Sequence, residues 1–220
     1  MHDNKTICLE RAVLSDRAVT LNNYECTKIN KMLGSALPFL SEENLINLAD
    51  KVHTYSKTKK CASDTLRVTY TKRGMPRTLT ENLEKQLLSD ISKIPNVSVI
   101  VADFCKLSFQ EQVNLIGNTD VLIGVHGNGL SHILFLPENA AAIEIFPPDT
   151  LALDYRLYAD ARGVAYLGIS SNLGPIGKEV AYQTGPFGDV NKTIERLDFA
   201  PILSFIGSCK ERLLTKRKSK

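Results

Sequence analysis

The 220-residue sequence lacks the features that would tie it to a membrane by itself. It contains no apolar run of the ~18 residues that a transmembrane helix needs. Residues 1–5 have no apolar stretch behind them, so we do not expect them to act as a signal peptide. An address for the secretory pathway would lie outside these residues. We therefore expect membrane contact only through a segment that this chain lacks.

Metal-binding patterns and a strong charge bias are also missing. The chain contains no C-x-x-C or D-x-D pair and no cluster of His and carboxylate residues at ligand spacing, which argues against a tightly held metal. Its net charge of +3, from 27 basic and 24 acidic residues, is too small to indicate a nucleic-acid partner. Much of the excess lies in residues 210–220, which we interpret as a solvated, frayed basic tail.

The five cysteines are spaced too widely for a metal clip, and an odd number leaves at least one without a disulfide partner. Cys8, Cys26 and Cys61 lie in the first third of the chain, where a disulfide is conceivable. The apolar surroundings of Cys105 predict a small buried residue instead.

The residues that are present predict an α/β fold. A composition of 43% apolar and 23% charged residues is that of a globular core. From residue 66 onward, short β-rich runs alternate with runs of helical periodicity, which predicts a parallel sheet. Residues 170–190, rich in Gly, Pro and Asn, are expected to form a long loop. The predicted strands are 66–71, 97–102, 121–125, 141–146 and 164–169; the predicted helices are 41–55, 80–93, 108–118, 130–136 and 199–214.

Several polar residues follow the predicted strands, at the edge where a parallel sheet binds ligands. Arg73 and Arg77 follow the first strand, and a turn with Gly127 and Gly129 follows the third. These glycines let the backbone approach a ligand, and the next helix presents free N–H groups to an anion. A diphosphate fits such a turn, because two arginines supply planar donors for its charge. His126 adds a hydrogen bond or, when protonated, a positive charge.

Each of these features also has a less specific explanation. A Gly-rich turn after a buried strand is common in α/β proteins. Arg73 and Arg77 could belong to a solvated loop. Glu144 lies inside an apolar strand, where an unpaired carboxylate is costly. It therefore needs either a ligand hydroxyl or an ion pair in the core.

The Gly-rich turn also carries a family resemblance. Residues 119–137, T-D-V-L-I-G-V-H-G-N-G-L-S-H-I-L-F-L-P, closely resemble the D-V-L-I-G-x-H-G-A-G-L-T-x-x-x-F-x-P signature of glycosyltransferase family 61. Residues 73–81 are similar to its R-x-x-x-R-x-I-x-N-E stretch, 108–112 to its S-x-x-E-Q element and 142–147 to its V-I-E-I-x-P strand. The four elements occur in the family's order, so the match is specific, although Asn128 replaces the usual Ala and Thr80 a common Asn.

The resemblance implies a Rossmann-like parallel sheet with helices on both faces, similar to the C-terminal domain of a GT-B glycosyltransferase. Residues 61–209 would form this nucleotide-sugar-binding domain, 1–60 an N-terminal remnant of the interdomain region and 210–220 the basic tail. The implied reaction is an inverting, metal-independent transfer of GlcNAc or xylose from a UDP-sugar to a protein or polysaccharide hydroxyl. The implied compartment is the Golgi or endoplasmic reticulum lumen. No cofactor is expected beyond the donor substrate.

The same resemblance, read with the residues, implies individual roles. Arg73 and Arg77 would neutralise the diphosphate, and the backbone of Gly127 and Gly129 would cradle it. Glu144 would hold a ribose hydroxyl. Inversion also requires a base near the acceptor oxygen, for which His126 is the candidate. In addition, Glu81 is expected to orient Arg77.

Two alternatives remain open at the level of sequence. One is a truncated, inactive relative that still binds a nucleotide sugar. The other is an NAD(P)-dependent oxidoreductase, since the glycine spacing superficially resembles a dinucleotide turn. Against it, the turn follows the third strand and no acidic residue ends the next strand.

Overall fold

The computed structural model describes residues 42–58, 63–148, 154–176 and 192–218, which form an α/β fold around one sheet. All five predicted strands are present, four of them with the predicted bounds. The strands are β1 (Leu66–Thr71), β2 (Val97–Ala102), β3 (Val121–Val125), β4 (Ala141–Phe146), β5 (Ala165–Ser170) and β6 (Gly174–Ile176). Their order is β2-β1-β3-β4-β5-β6, with β1 to β5 parallel and β6 antiparallel to β5. This is a Rossmann-like, doubly wound sheet.

The helices lie on both faces of this sheet, as predicted. They are α1 (Glu42–Tyr55), α2 (Glu81–Ser92), α3 (Phe109–Ile116), α4 (Asp154–Ala161) and α5 (Ala200–Lys218), with 3-10 helices at Phe104–Lys106 and Asn128–Phe135. Helix α3 begins with a capping box, since Ser108 accepts from the Glu111 N–H and Glu111 accepts from Ser108. Helix α4 and strand β6 were not predicted.

Two hydrophobic cores follow from the alternation of side chains along the central strands. Val121, Ile123 and Val125 of β3 face the core formed with α2 and α5. Leu122 faces the opposite core, formed with α3, α4 and the longer 3-10 helix. Both faces of β3 are therefore covered, which explains its continuously apolar sequence.

The end of the chain differs from the predicted frayed tail. Helix α5 continues to Lys218. Arg217 donates from Nη2 to Asp120 Oδ1 at 2.5 Å and from Nη1 to the carbonyls of Ser63 and Thr65 at 3.1 and 3.2 Å. Asp120 is buried and precedes β3, so it needs cationic partners. Arg217, one of the basic residues that suggested a solvated tail, therefore connects the last helix to residues next to the sheet.

The cysteine prediction is corrected at one position. Cys105 is exposed, because it lies on the short 3-10 helix beyond the end of β2. Cys209 of α5 is buried in the first core. Cys8, Cys26 and Cys61 lie outside the described residues.

Candidate functional site

The candidate site lies where β1 and β3 end side by side. Thr71, the last residue of β1, is in register with Gly124 of β3. The connections that follow these two strands run in opposite directions along the sheet. β1 leads to its neighbour β2 on one side, and β3 leads to its neighbour β4 on the other. Such a reversal opens a crevice at the carboxyl ends of the strands. Arg73 follows β1 and His126 follows β3, so both lie at this edge of the sheet.

The structure brings Arg73 and the Gly-rich turn into direct contact. Arg73 donates from Nη1 to the His126 carbonyl at 2.9 Å. The guanidinium lies against Gly127, where a Cβ atom would come within 1.2 Å of Nη1. Gly127 also has φ +152°, which side chains rarely tolerate. The positive φ favours glycine here, and the absence of a side chain lets the guanidinium pack on the backbone.

Two positive charges, those of Arg73 and Arg77, lie close together at this rim. Burial, followed by the nearby charge of Arg77, lowers the pKa of Arg73, while Tyr155 acts in the opposite direction. Arg73 and Arg77 are both half-buried, so their repulsion is only partly screened by water. A cavity of about 240 Å³ adjoins Arg73 at the ends of β1 and β2; it is lined by Lys72, Arg73, Gly74, Val101, Asp103 and Lys106. An anion bound at this rim would relieve the repulsion.

His126 is held by a carboxylate inside the protein. Its Nδ1 lies 2.5 Å from Oε1 of Glu144, which is 0% exposed. The hydroxyl of Tyr166 donates to the other oxygen, Oε2. Burial, and then the Glu144 charge, raise the pKa of Tyr166 well above its usual value, so the phenol stays protonated and donates. The imidazole also packs on Phe146 and Tyr155, with ring centroids 5.6 and 5.5 Å apart.

These contacts bear on the predicted role of Glu144. Both of its carboxylate oxygens are engaged within the protein, by His126 and Tyr166. This arrangement matches the alternative of a partnered carboxylate in the core, and the contact with a ribose hydroxyl stays a prediction. Glu144 lies on β4 beside β3, in register with Gly124, and so reaches the residue that follows β3.

Glu81 is paired with a residue of its own helix. Its carboxylate accepts from Lys85 of the same helix at 2.6 Å, and its side chain is 78% exposed. The buried carboxylate on α2 is Glu84, which accepts from the Tyr70 hydroxyl at 3.0 Å and lies 3.6 Å from Lys72. The orientation of Arg77 by Glu81 stays a prediction.

Sequence reasoning missed two aromatic residues of the site. Tyr166 reaches Glu144 beside Gly168, where an added Cβ would come within 3.3 Å of the Tyr166 ring. A tyrosine two residues before a glycine, on the strand next to a buried glutamate, is a signal that could have indicated this contact. Tyr155 packs on His126 and donates to Asn128 Oδ1 at 3.4 Å. It lies on α4, which the sequence pattern did not indicate.

Neither metal ligands nor membrane helices occur in the parts of the chain that the structure describes. No three His, Cys, Asp or Glu side chains there come together as metal ligands would. Within the same ranges, no helix has both the length and the apolar character needed to cross a bilayer.

The fold and the crevice define a Rossmann-like α/β domain with a basic rim at the carboxyl ends of its strands. Comparison with known proteins identifies its family. The profile described as Glycosyltransferase 61 matches residues 9–143, more than half of the chain, and the chain belongs to this family.

The relatives found are named EGF domain-specific O-linked N-acetylglucosamine transferase. The protein from Xenopus laevis is 32% identical over 174 residues, which cover 76% of this chain and 31% of that protein. The protein from Drosophila melanogaster is 35% identical over 101 residues, 46% of this chain and 19% of that protein. The protein from Mus musculus is 35% identical over 89 residues, 38% of this chain and 16% of that protein. The chain thus spans a third or less of the length of these relatives.

Proposed function

We propose that the chain is the nucleotide-sugar-binding half of an inverting, metal-independent glycosyltransferase of the secretory pathway. It binds a UDP-sugar, and the partner half of the enzyme completes the site for a protein or glycan hydroxyl. UDP-GlcNAc is favoured over UDP-xylose, because the named relatives are N-acetylglucosamine transferases. The proposed compartment is the lumen of the endoplasmic reticulum or Golgi.

The observation that carries this proposal is the contact between Arg73 and the turn at Gly127. The guanidinium, the charge of Arg77 and the start of the 3-10 helix Asn128–Phe135 converge at one rim. The first N–H groups of a helix lack partners within it and favour an anion. A diphosphate at this rim accepts hydrogen bonds from the turn and offsets the two arginine charges.

His126 is the proposed base for the transfer. Glu144 binds Nδ1, so Nε2 is the nitrogen that takes the proton from the acceptor hydroxyl. The acceptor oxygen then forms a bond to C1 of the sugar while the bond from C1 to the diphosphate oxygen breaks, and UDP leaves. Glu144 stabilises the imidazolium that forms, and Tyr166 holds Glu144 in place.

Separate calorimetric titrations with UDP, UDP-GlcNAc, UDP-xylose and NAD test the proposal. We expect the uridine nucleotides to bind and NAD to show no saturable heat. Binding of NAD in preference to UDP would contradict the proposal and favour the oxidoreductase alternative. Transfer or hydrolysis of the bound donor separates an active enzyme from an inactive relative that only binds it.

A further inference from the structure

His132 lies on the 3-10 helix that follows the Gly-rich turn, and the proposed function gives it no role. Its Nδ1 lies 3.0 Å from the Gly129 carbonyl, and its Nε2 lies 2.8 Å from Oε1 of Gln112. The ring is half-buried and packs on Phe104, with centroids 4.2 Å apart. Both neighbours of the ring nitrogens are acceptors, so the imidazole donates to the turn, to Gln112, or to both when protonated.

Gln112 fixes the ring from the opposite side. Its amide nitrogen donates to the carbonyls of Phe104 and Leu107 at 2.8 and 2.9 Å. These two bonds use both of its N–H groups, so its oxygen faces His132. The imidazole therefore connects the turn after β3 to the segment after β2.

We propose that His132 is a positioning residue for the diphosphate turn, an inference that rests on the proposed function. The peptide between Gly129 and Leu130 is held at both ends. His132 contacts its carbonyl, and its N–H donates to the Gly127 carbonyl at 2.9 Å. Glycines give this turn wide conformational freedom, and fixing one peptide restricts the neighbouring N–H groups that would face the anion. A turn ordered in advance loses less entropy on binding.

The chain offers a matched control at the other end of the same helix. His53 of α1 lies with Nε2 2.9 Å from the Phe135 carbonyl. His53→Ala thus removes a histidine contact to a carbonyl of this helix without touching the turn. A purely structural role for His132 predicts that the two alanine variants behave alike.

Two conservative variants separate the contacts of His132. The amide of His132→Asn can replace the Nδ1 donor to Gly129, as asparagine often bonds a backbone carbonyl three residues earlier. The longer His132→Gln side chain places its amide near the Nε2 position, toward Gln112. The proposal predicts rescue by Asn and not by Gln.

The experiment has two readouts on the full chain. Hydrogen exchange without ligand measures protection of the Leu130 amide, and calorimetry measures UDP affinity. We expect His132→Ala and His132→Gln to lower both the protection of the Leu130 amide and the UDP affinity by about tenfold, the effect of one lost hydrogen bond. His132→Asn and His53→Ala should stay near wild type.

Unchanged exchange at Leu130 in His132→Ala, or an equal loss in His53→Ala, would overturn the inference. If wild type binds no UDP, the proposed function fails. Exchange at Leu130 then still decides whether His132 orders the turn.

Discussion

At the scale of single residues, two sets of close contacts shape the candidate site. Gly127 contacts the Arg73 guanidinium. The two carboxylate oxygens of Glu144 are hydrogen-bonded to His126 and Tyr166. The first contact forms the basic rim, and the second orients the imidazole beside it. Each contact predicts a different consequence when one partner is changed.

Gly127→Ala should displace the Arg73 side chain and weaken UDP binding as much as Arg73→Ala does. The new methyl group would lie 1.2 Å from Arg73 Nη1, and the backbone φ of +152° would be strained. Gly207→Ala is the control, because nothing lies within 4 Å of its added Cβ. It should keep UDP affinity, measured by calorimetry. Normal UDP binding by Gly127→Ala would contradict the predicted packing.

Glu144→Ala should destabilise the fold by about 3 kcal/mol, because it leaves buried polar groups of His126 and Tyr166 without their partner. Chemical denaturation measures the free energy of unfolding. Glu81→Ala removes an exposed carboxylate bound to Lys85 and should leave that free energy unchanged. Equal effects of the two variants would show that the Glu144 contacts do not stabilise the fold.

Much of the site could be predicted from the residues, but the pairing of His126 with Glu144 could not. Arg73 and the glycine turn each follow a predicted parallel strand. Because parallel strands end at the same edge of a sheet, the sequence positions of these residues predicted that they lie close together. The pairing of His126 with Glu144 required knowing that β4 lies next to β3. The sequence therefore left Glu144 with two possible partners, a ligand hydroxyl or a core ion pair.

At the scale of elements, strands and helices with a clear hydrophobic pattern were predicted, and those with a weak pattern were missed. Strands β1 to β4 match their predicted bounds. Strands β1, β3 and β4 are almost wholly buried and rich in apolar or β-branched residues, whereas the half-exposed edge strand β2 was indicated by its valines and isoleucine. Helix α4 was missed, since among its residues with a described side chain only Tyr155 and Ala159 are buried. Strand β6 has three residues, two of which are Gly and Pro, types depleted in strands.

The last helix provides a prediction at this scale. Arg217→Ala removes donors to Asp120 and to two carbonyls that precede β1, and should lower the free energy of unfolding by about 1–2 kcal/mol. Lys210→Ala is the control, because its exposed amine makes one long contact to the Pro95 carbonyl at 3.4 Å. Denaturation of both variants measures the difference. Equal stability would mean that the end of α5 is not fastened through Arg217.

At the scale of the whole molecule, the described residues form a Rossmann-like α/β domain with a basic rim. The sheet order, its switch between β1 and β3 and the basic rim fit the proposed binding of a nucleotide diphosphate. The relatives are about three or more times longer than the matched region. Family membership and the crevice therefore support donor binding by this chain, and transfer is proposed for the complete enzyme.

The most direct test of donor binding is calorimetric titration of UDP into wild type, Arg73→Ala and Lys85→Ala. Arg73→Ala should weaken binding by about 1.5–3 kcal/mol, the range for a lost charged hydrogen bond. Lys85→Ala removes the same charge from the exposed surface of α2 and should leave the affinity unchanged. Wild-type affinity in Arg73→Ala, or an equal loss in Lys85→Ala, would contradict a diphosphate site between Arg73 and the Gly127 turn.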